Sequence, residues 1–233
     1  MALRGSKPSV VECRFKAFFY GASGVGKTYS AVQFPRPYII DSEGSTNKPQ
    51  YVRLIEKQNG WAFRTIDFDE TLAAVRDLLT QKHEYKTLII DSLTPIYNDL
   101  LEKCEKKVGT EFGKHYGEAN KRMKQLINLL FRIDMNVIIT AHSKNEYGQN
   151  LSVLGQTYDC YKKLDYVFDL VIDVQMRGEQ RIGMIKKSRF ENFITKDTFN
   201  FSYEEIANRY GREIIEREVV VLLLKVYIEA TTI

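Results

Sequence analysis

At 233 residues, 44% hydrophobic and 27% charged, the chain is sized and composed for one globular core. Its formal net charge of +4 permits a nucleic-acid partner without requiring one. Cys13, Cys104 and Cys160 fall in no C-x-x-C or zinc-ligand spacing, the N-terminus lacks the apolar segment of a signal peptide, and the longest apolar run, Val219 to Leu224, is too short to cross a bilayer. These features exclude a zinc module and a membrane span, and imply reduced thiols in a soluble, cytoplasmic protein with no membrane partner.

Residues 1–12 are small, basic and aperiodic and read as a flexible tail before a single domain, 13–233. The aromatic run Phe15 to Tyr20 predicts a strand, Gly21 to Lys27 a loop, and the next residues a short helix that Pro35 and Pro37 end near Phe34. Tyr38 to Asp41 predicts a second buried strand, and Gly44 to Pro49 a loop. Asp69 is expected to cap a helix on which Leu72, Val75, Leu78 and Leu79 share one apolar face. Thr87 to Asp91 predicts a third strand, followed by helices over Pro95 to Lys107 and Glu118 to Arg132 with a basic, glycine-containing connection. Asn136 to His142 predicts the fourth strand, and the Gly/Asn-rich stretch Ser143 to Gln156 a long functional loop. Leu170 to Met176 and Arg181 to Lys187 flank a turn and predict a hairpin; Tyr203 to Arg209 predicts a helix. Strands that first alternate with helices and then pair in a hairpin give an α/β fold, a mostly parallel central sheet flanked by helices with antiparallel strands at its C-terminal end.

The chemistry concentrates after the first strand, where Gly21-Ala22-Ser23-Gly24-Val25-Gly26-Lys27-Thr28 spells G-x-x-x-x-G-K-T. Glycines let backbone N–H groups turn inward around phosphate oxygens, the helix N-terminus adds its dipole, Lys27 supplies charge, and Thr28 is placed to hold Mg²⁺. A magnesium nucleotide site also needs a carboxylate at a neighbouring strand end. Asp91 occupies such a place, though it could instead begin a turn or cap the next helix, and Asp41 ends a strand in the same way and competes for the role.

In their order, Tyr38-Ile39-Ile40-Asp41-Ser42-Glu43 and Leu88-Ile89-Ile90-Asp91-Ser92-Leu93 resemble two strands of the RecA-type recombinase core. The resemblance implies a RecA-like P-loop ATPase using ATP and Mg²⁺, with Glu43 as general base for the attacking water. It implies that His142, where that family usually has Gln, senses the γ-phosphate, and that Lys187 and Arg189 reach a neighbouring subunit's site as a basic finger. More narrowly, the chain is similar to the phage RecA-like single-strand annealing proteins, or more broadly to an AAA-type P-loop ATPase with a RecA-type core. That likeness covers about Phe15 to Phe190.

Lys107, Lys114, Lys121, Arg122 and Lys124 give Lys107 to Lys124 a local positive excess, with Phe112, His115 and Tyr116 interleaved. Cations that track phosphates beside aromatics that stack on bases suit single-stranded DNA, although a charge-rich helix also serves as a plain solvated face. The resemblance places DNA loops at Lys107 to Gly117 and Ser143 to Gln156, and makes Lys144 and Tyr147 the second loop's candidates. It further implies a homo-oligomer, ring or filament, a single-strand-binding protein as a further partner, and the bacterial host cytoplasm if the chain is phage-encoded. The expected function is DNA-stimulated ATP hydrolysis during strand annealing or pairing. The alternatives are a nucleotide-gated interaction module such as a helicase loader, and a small-molecule kinase, for which no arginine-rich lid is evident.

Overall fold

The computed structural model describes residues 12–147 and 153–219; the expected tail before Glu12 and the apolar run beyond Val219 lie outside them. Strand β1 (Lys16–Gly21) leads into helix α1 (Lys27–Ala31), β2 (Pro37–Asp41), α2 (Pro49–Lys57), β3 (Trp61–Arg64), α3 (Phe68–Thr80) and β4 (Thr87–Asp91). There follow α4 (Leu93–Val108), α5 (Lys114–Arg132), β5 (Asn136–Tyr147), β6 (Val153–Tyr158) and α6 (Leu164–Val167). The chain continues through β7 (Leu170–Arg177), β8 (Gln180–Ser188), β9 (Thr198–Asn200), α7 (Tyr203–Tyr210) and α8 (Arg212–Glu216). One sheet has the order β3-β2-β4-β5-β1-β7-β8-β9. It is parallel from β3 to β7 and antiparallel from β7 to β9, the mostly parallel α/β arrangement expected from the alternation.

The strands are apolar on both faces because both faces are covered. Successive residues point to opposite sides, so Phe18 and Tyr20 of β1 join Leu88 and Ile90 of β4 in one core beneath α3, α4 and α5. Ala17, Phe19 and Ile89 enter a second core, shared with Ala31 of α1, Ile206 of α7 and Ile215 of α8. Phe18 and Phe19 are wholly buried, and each such side chain contributes roughly 1.5–3 kcal/mol on leaving water.

The first strands match the sequence expectations closely, and five other features do not. Pro49 starts α2, a nine-residue helix that turns Tyr51, Leu54 and Ile55 to the core, and β3 is a four-residue edge strand with Trp61 exposed. Neither was expected. The cap of α3 is Asp67 rather than Asp69: the Asp67 carboxylate accepts from the backbone N–H of Asp69 and Glu70. Asp69 already lies in the first helical turn. Helix α5 begins at Lys114, a turn before the expected Glu118, behind the left-handed Gly113. The expected loop Ser143 to Gln156 is largely a hairpin in which β5 runs on to Tyr147 and pairs antiparallel with β6, Ser143 opposite Tyr158 and Asn145 opposite Gln156. Its turn, 148–152, lies outside the described residues.

Arg14 ties the two ends of the domain together. Its buried guanidinium pairs with Asp134 at 2.9 Å and donates to the carbonyls of Arg217 at 2.7 Å and Glu218 at 2.5 Å. The cap gives a direct check on α3: Asp67→Ala is expected to cost about 1 kcal/mol in urea unfolding, whereas Asp69→Ala should stay within about 0.5 kcal/mol.

Candidate functional site

Parallel strands deliver their C-terminal ends to one edge of the sheet, where open α/β sheets present their loops. On that edge Gly21 to Thr28 turns between β1 and α1. Gly21 has φ +150°, and a Cβ there would fall 2.2 Å from the carbonyl oxygen of Val174 on β7, so only glycine fits. Gly24 and Gly26 are also left-handed. The buried Lys27 ammonium bends over the loop and donates to the carbonyls of Gly21 at 2.7 Å and Ala22 at 2.9 Å. Burial pulls its pKa below the ordinary lysine value, while the charges of Asp91 and Glu43 oppose that shift.

Thr28 Oγ1 donates to Asp91 Oδ2 at 2.7 Å, bringing the two expected metal ligands together. Asp91 is 4% exposed and accepts also from Thr140 on β5 and, at 3.3 Å, from Ser45. Burial pushes its carboxyl above the usual range against the pull of the Thr140 and Thr28 hydroxyls. Asp41, the competing carboxylate, faces its own loop: it accepts from the N–H groups of Glu43, Gly44, Ser45 and Thr46 and from the Thr46 hydroxyl. Burial raises its pKa, but these hydrogen bonds outweigh that and leave it lowered. Asp41 thus shapes the turn that carries Glu43.

Glu43 and His142 meet across the strand ends, Oε1 of Glu43 hydrogen-bonded to Nε2 of His142. The backbone N–H of His142 donates to Thr94 Oγ1 at 3.1 Å, and that hydroxyl donates to the carbonyl of Asp159 at 2.7 Å, just past β6. Lys144 pairs with Asp159 at 2.8 Å. Tyr147 closes the described part of β5, and its side chain lies outside the described residues.

Lys187 and Arg189 are engaged within their own chain. Lys187 Nζ donates to the carbonyls of Asp165, Tyr166 and Phe168, capping α6, and Arg189 pairs with Asp169 at 2.6 Å. The cations from Lys107 to Lys124, a positive excess net of Glu111 and Glu118, are partly paired. Lys107 pairs with Glu118 at 3.0 Å, Lys114 lies 3.8 Å from Glu111, and Arg122 pairs with Asp69. Lys121 and Lys124 carry no ion pair among the described residues. Tyr116 is half-exposed with His115 4.1 Å from its ring, and Phe112, left-handed at φ 52°, is fully exposed between α4 and α5.

Ser45, Thr94, Thr140, Tyr29 and Arg181 stand at or beside the site without having been singled out in the sequence. Ser45 follows Glu43 closely enough to have been found from the Asp-Ser-Glu-Gly-Ser string. Tyr29 directly follows Thr28, Thr94 stands in the first turn of α4, and strand register puts Thr140 beside Phe19 and one position before the partner of Tyr20.

A glycine loop between β1 and α1, with a buried carboxylate on β4 of the same mostly parallel sheet, defines a RecA-like P-loop fold. The chain belongs to the AAA domain family, whose model matches residues 14–199. A crystal structure of the RadB recombinase is similar in fold, with a TM-score of 0.55, 15% sequence identity, and coverage of 81% of this chain and 86% of that one. No curated protein matches the sequence. Among the described residues no helix is long and apolar enough to cross a membrane.

Burial works against a charge on Asp91. Asp91→Asn keeps the shape and can still bond Thr28 and Thr140, so in metal-free buffer it is expected to melt at or above the wild-type temperature, a gain of about 1–2 kcal/mol. A lower melting temperature would show that the carboxylate's charge supports the fold.

Proposed function

We propose that this protein binds and hydrolyses ATP, binds single-stranded DNA, and promotes strand annealing or pairing in the manner of the phage RecA-like annealing proteins. The reading is carried by one observation: Lys27, Thr28, Asp91, Glu43 and His142 converge on one sheet edge, and the β5–β6 hairpin leaves directly from His142.

In this reading the backbone N–H groups of Gly24 to Thr28 hold the β- and γ-phosphates, and the Lys27 ammonium leaves its carbonyl partners to neutralise them. The Thr28 hydroxyl and the Asp91 carboxylate offer the hard oxygens that Mg²⁺ takes, already at one point. Bound there, Mg²⁺ would screen the charge that develops on the phosphates. Glu43 orients the attacking water and accepts its proton, and His142 fixes the Glu43 carboxylate. The Asp41 turn holds Glu43 at this height above the sheet.

His142 also connects the site to the DNA-binding surface. Thr94 and Asp159 bind its backbone, so a shift of the Glu43–His142 pair is felt at the root of the hairpin that carries Lys144 and Tyr147. Lys107, Lys114, Tyr116, Lys121, Arg122 and Lys124 form a second DNA contact, in which strand phosphates would displace Glu111, Glu118 and Asp69 from their cations. Lys187 and Arg189 act in a neighbouring subunit only after releasing their own-chain partners, which links that role to assembly as a ring or filament.

These ion pairs also favour a second reading, a nucleotide-gated module that grips a protein partner, such as a helicase loader. The two part company in an ATPase assay with and without single-stranded DNA: the first expects stimulation of ten-fold or more, about 1.4 kcal/mol in the barrier, and the second none. Lys27→Ala should abolish nucleotide binding. Glu43→Gln should retain ATP and slow its cleavage at least about a hundred-fold; undiminished hydrolysis would remove Glu43 as the base.

For the DNA surface, Lys121→Glu with Lys124→Glu is expected to weaken single-strand binding by roughly ten-fold or more at low salt and to flatten its salt dependence. Unchanged binding in a salt titration would exclude α5 as a DNA contact.

A further inference from the structure

Beside the phosphate loop, Arg181 of β8 lies against Gly26. A Cβ on Gly26 would fall 2.3 Å from Arg181 Nε and 2.5 Å from its Cδ. The glycine at this position therefore makes room for an arginine side chain as well as for a left-handed turn. The Arg181 guanidinium stands 4.2 Å from the centre of the Tyr29 ring, on the residue that follows Thr28 in α1. Both side chains are partly exposed, and Arg181 makes no ion pair among the described residues, unlike Arg122, Arg189, Arg209 and Arg212.

The sheet order gives this pair a direction. Counted from β1, the metal-ligand candidate Asp91 lies across β5 on β4, whereas Arg181 lies across β7 on β8, the opposite way. A triphosphate held in the loop with its terminal phosphate at Thr28, Asp91 and Glu43 must carry its nucleoside out on the other side. That side is the one built from Tyr29 and Arg181. A planar cation stacked on a phenol ring offers flat surface and positive charge, the two properties that hold a nucleobase by its face.

We propose that Tyr29 and Arg181 form the nucleoside wall of the site, where the base of the bound nucleotide stacks. The proposal rests on the nucleotide-binding reading above and adds the residues that distinguish a nucleotide from a bare polyphosphate. It also gives the β7–β8 hairpin a part in nucleotide affinity, since Arg181 lies one residue from its turn and on the same strand as Lys187.

Equilibrium binding of Mg·ATP and of inorganic tripolyphosphate to the full chain tests it. Arg181→Ala and Tyr29→Ala should each weaken ATP about ten-fold and leave tripolyphosphate within about two-fold, whereas Tyr29→Phe should bind both like wild type. Arg181→Lys, which keeps the charge and loses the plane, should also weaken ATP alone, and a thermal melt equal to wild type shows that its fold is intact. Equal loss of both ligands would overturn the proposal, because Arg181 would then merely prop the loop; unchanged ATP affinity would overturn it too. A wild-type chain that binds neither ligand overturns the nucleotide reading itself, and this wall with it.

Discussion

One buried carboxylate organises the site. Asp91 is shared by hydroxyls from three segments distant in sequence: Thr28 at the start of α1, Thr140 within β5 and Ser45 in the turn after β2. A charge in this position is unfavourable without full satisfaction, so it constrains each segment to supply its hydroxyl at the right height. The loop, the turn and the strand are thereby registered against one another before any ligand arrives. What Asp91 does for the segments, Asp41 does within its own turn, and together they leave Glu43 facing His142.

The geometry also separates two kinds of work along the sheet edge. On the β4 side lie the acids and hydroxyls of Asp91, Glu43, Thr28 and Thr140; on the β8 side lie Tyr29 and Arg181, aromatic and cationic. The loop between them is confined by close approaches, to the Val174 carbonyl at Gly21 and to the Arg181 side chain at Gly26. Its glycines are thus as much a result of what packs outside the loop as of the phosphate it is shaped to hold.

Much of this was legible in the sequence where a signal is local. Apolar runs ending in aspartate marked β2 and β4, and the G-x-x-x-x-G-K-T string marked the loop with no help from tertiary structure. Legibility failed where the deciding contact is remote or the signal is weak. Helix α2 does carry a helical apolar face in Tyr51, Leu54 and Ile55, but over only nine residues, and β3 is short and at the edge. The cap of α3 depends on which of two nearby aspartates takes extended backbone, and composition does not distinguish them. The hairpin β5–β6 hides in a Gly/Asn-rich string because cross-strand pairing, not residue preference, makes it. Charge counting along Lys107 to Lys124 has no view of Asp69, which pairs with Arg122 from another helix. Arg181 gave no sign at all, since Gly26 and Tyr29 lie far from it in the chain.

The knot made by Arg14 places the beginning and the end of the described domain side by side. Arg14 bonds the carbonyls of Arg217 and Glu218, and the Tyr210 hydroxyl donates to the carbonyl of Cys13. Since β1 starts at this edge and finishes at the phosphate loop, Cys13 and Arg14 and the carbonyls they meet lie at the side of the sheet remote from that loop. The described segment therefore begins and ends at the opposite end of β1 from the phosphate loop, and a pull on either end meets the same guanidinium before it reaches the site.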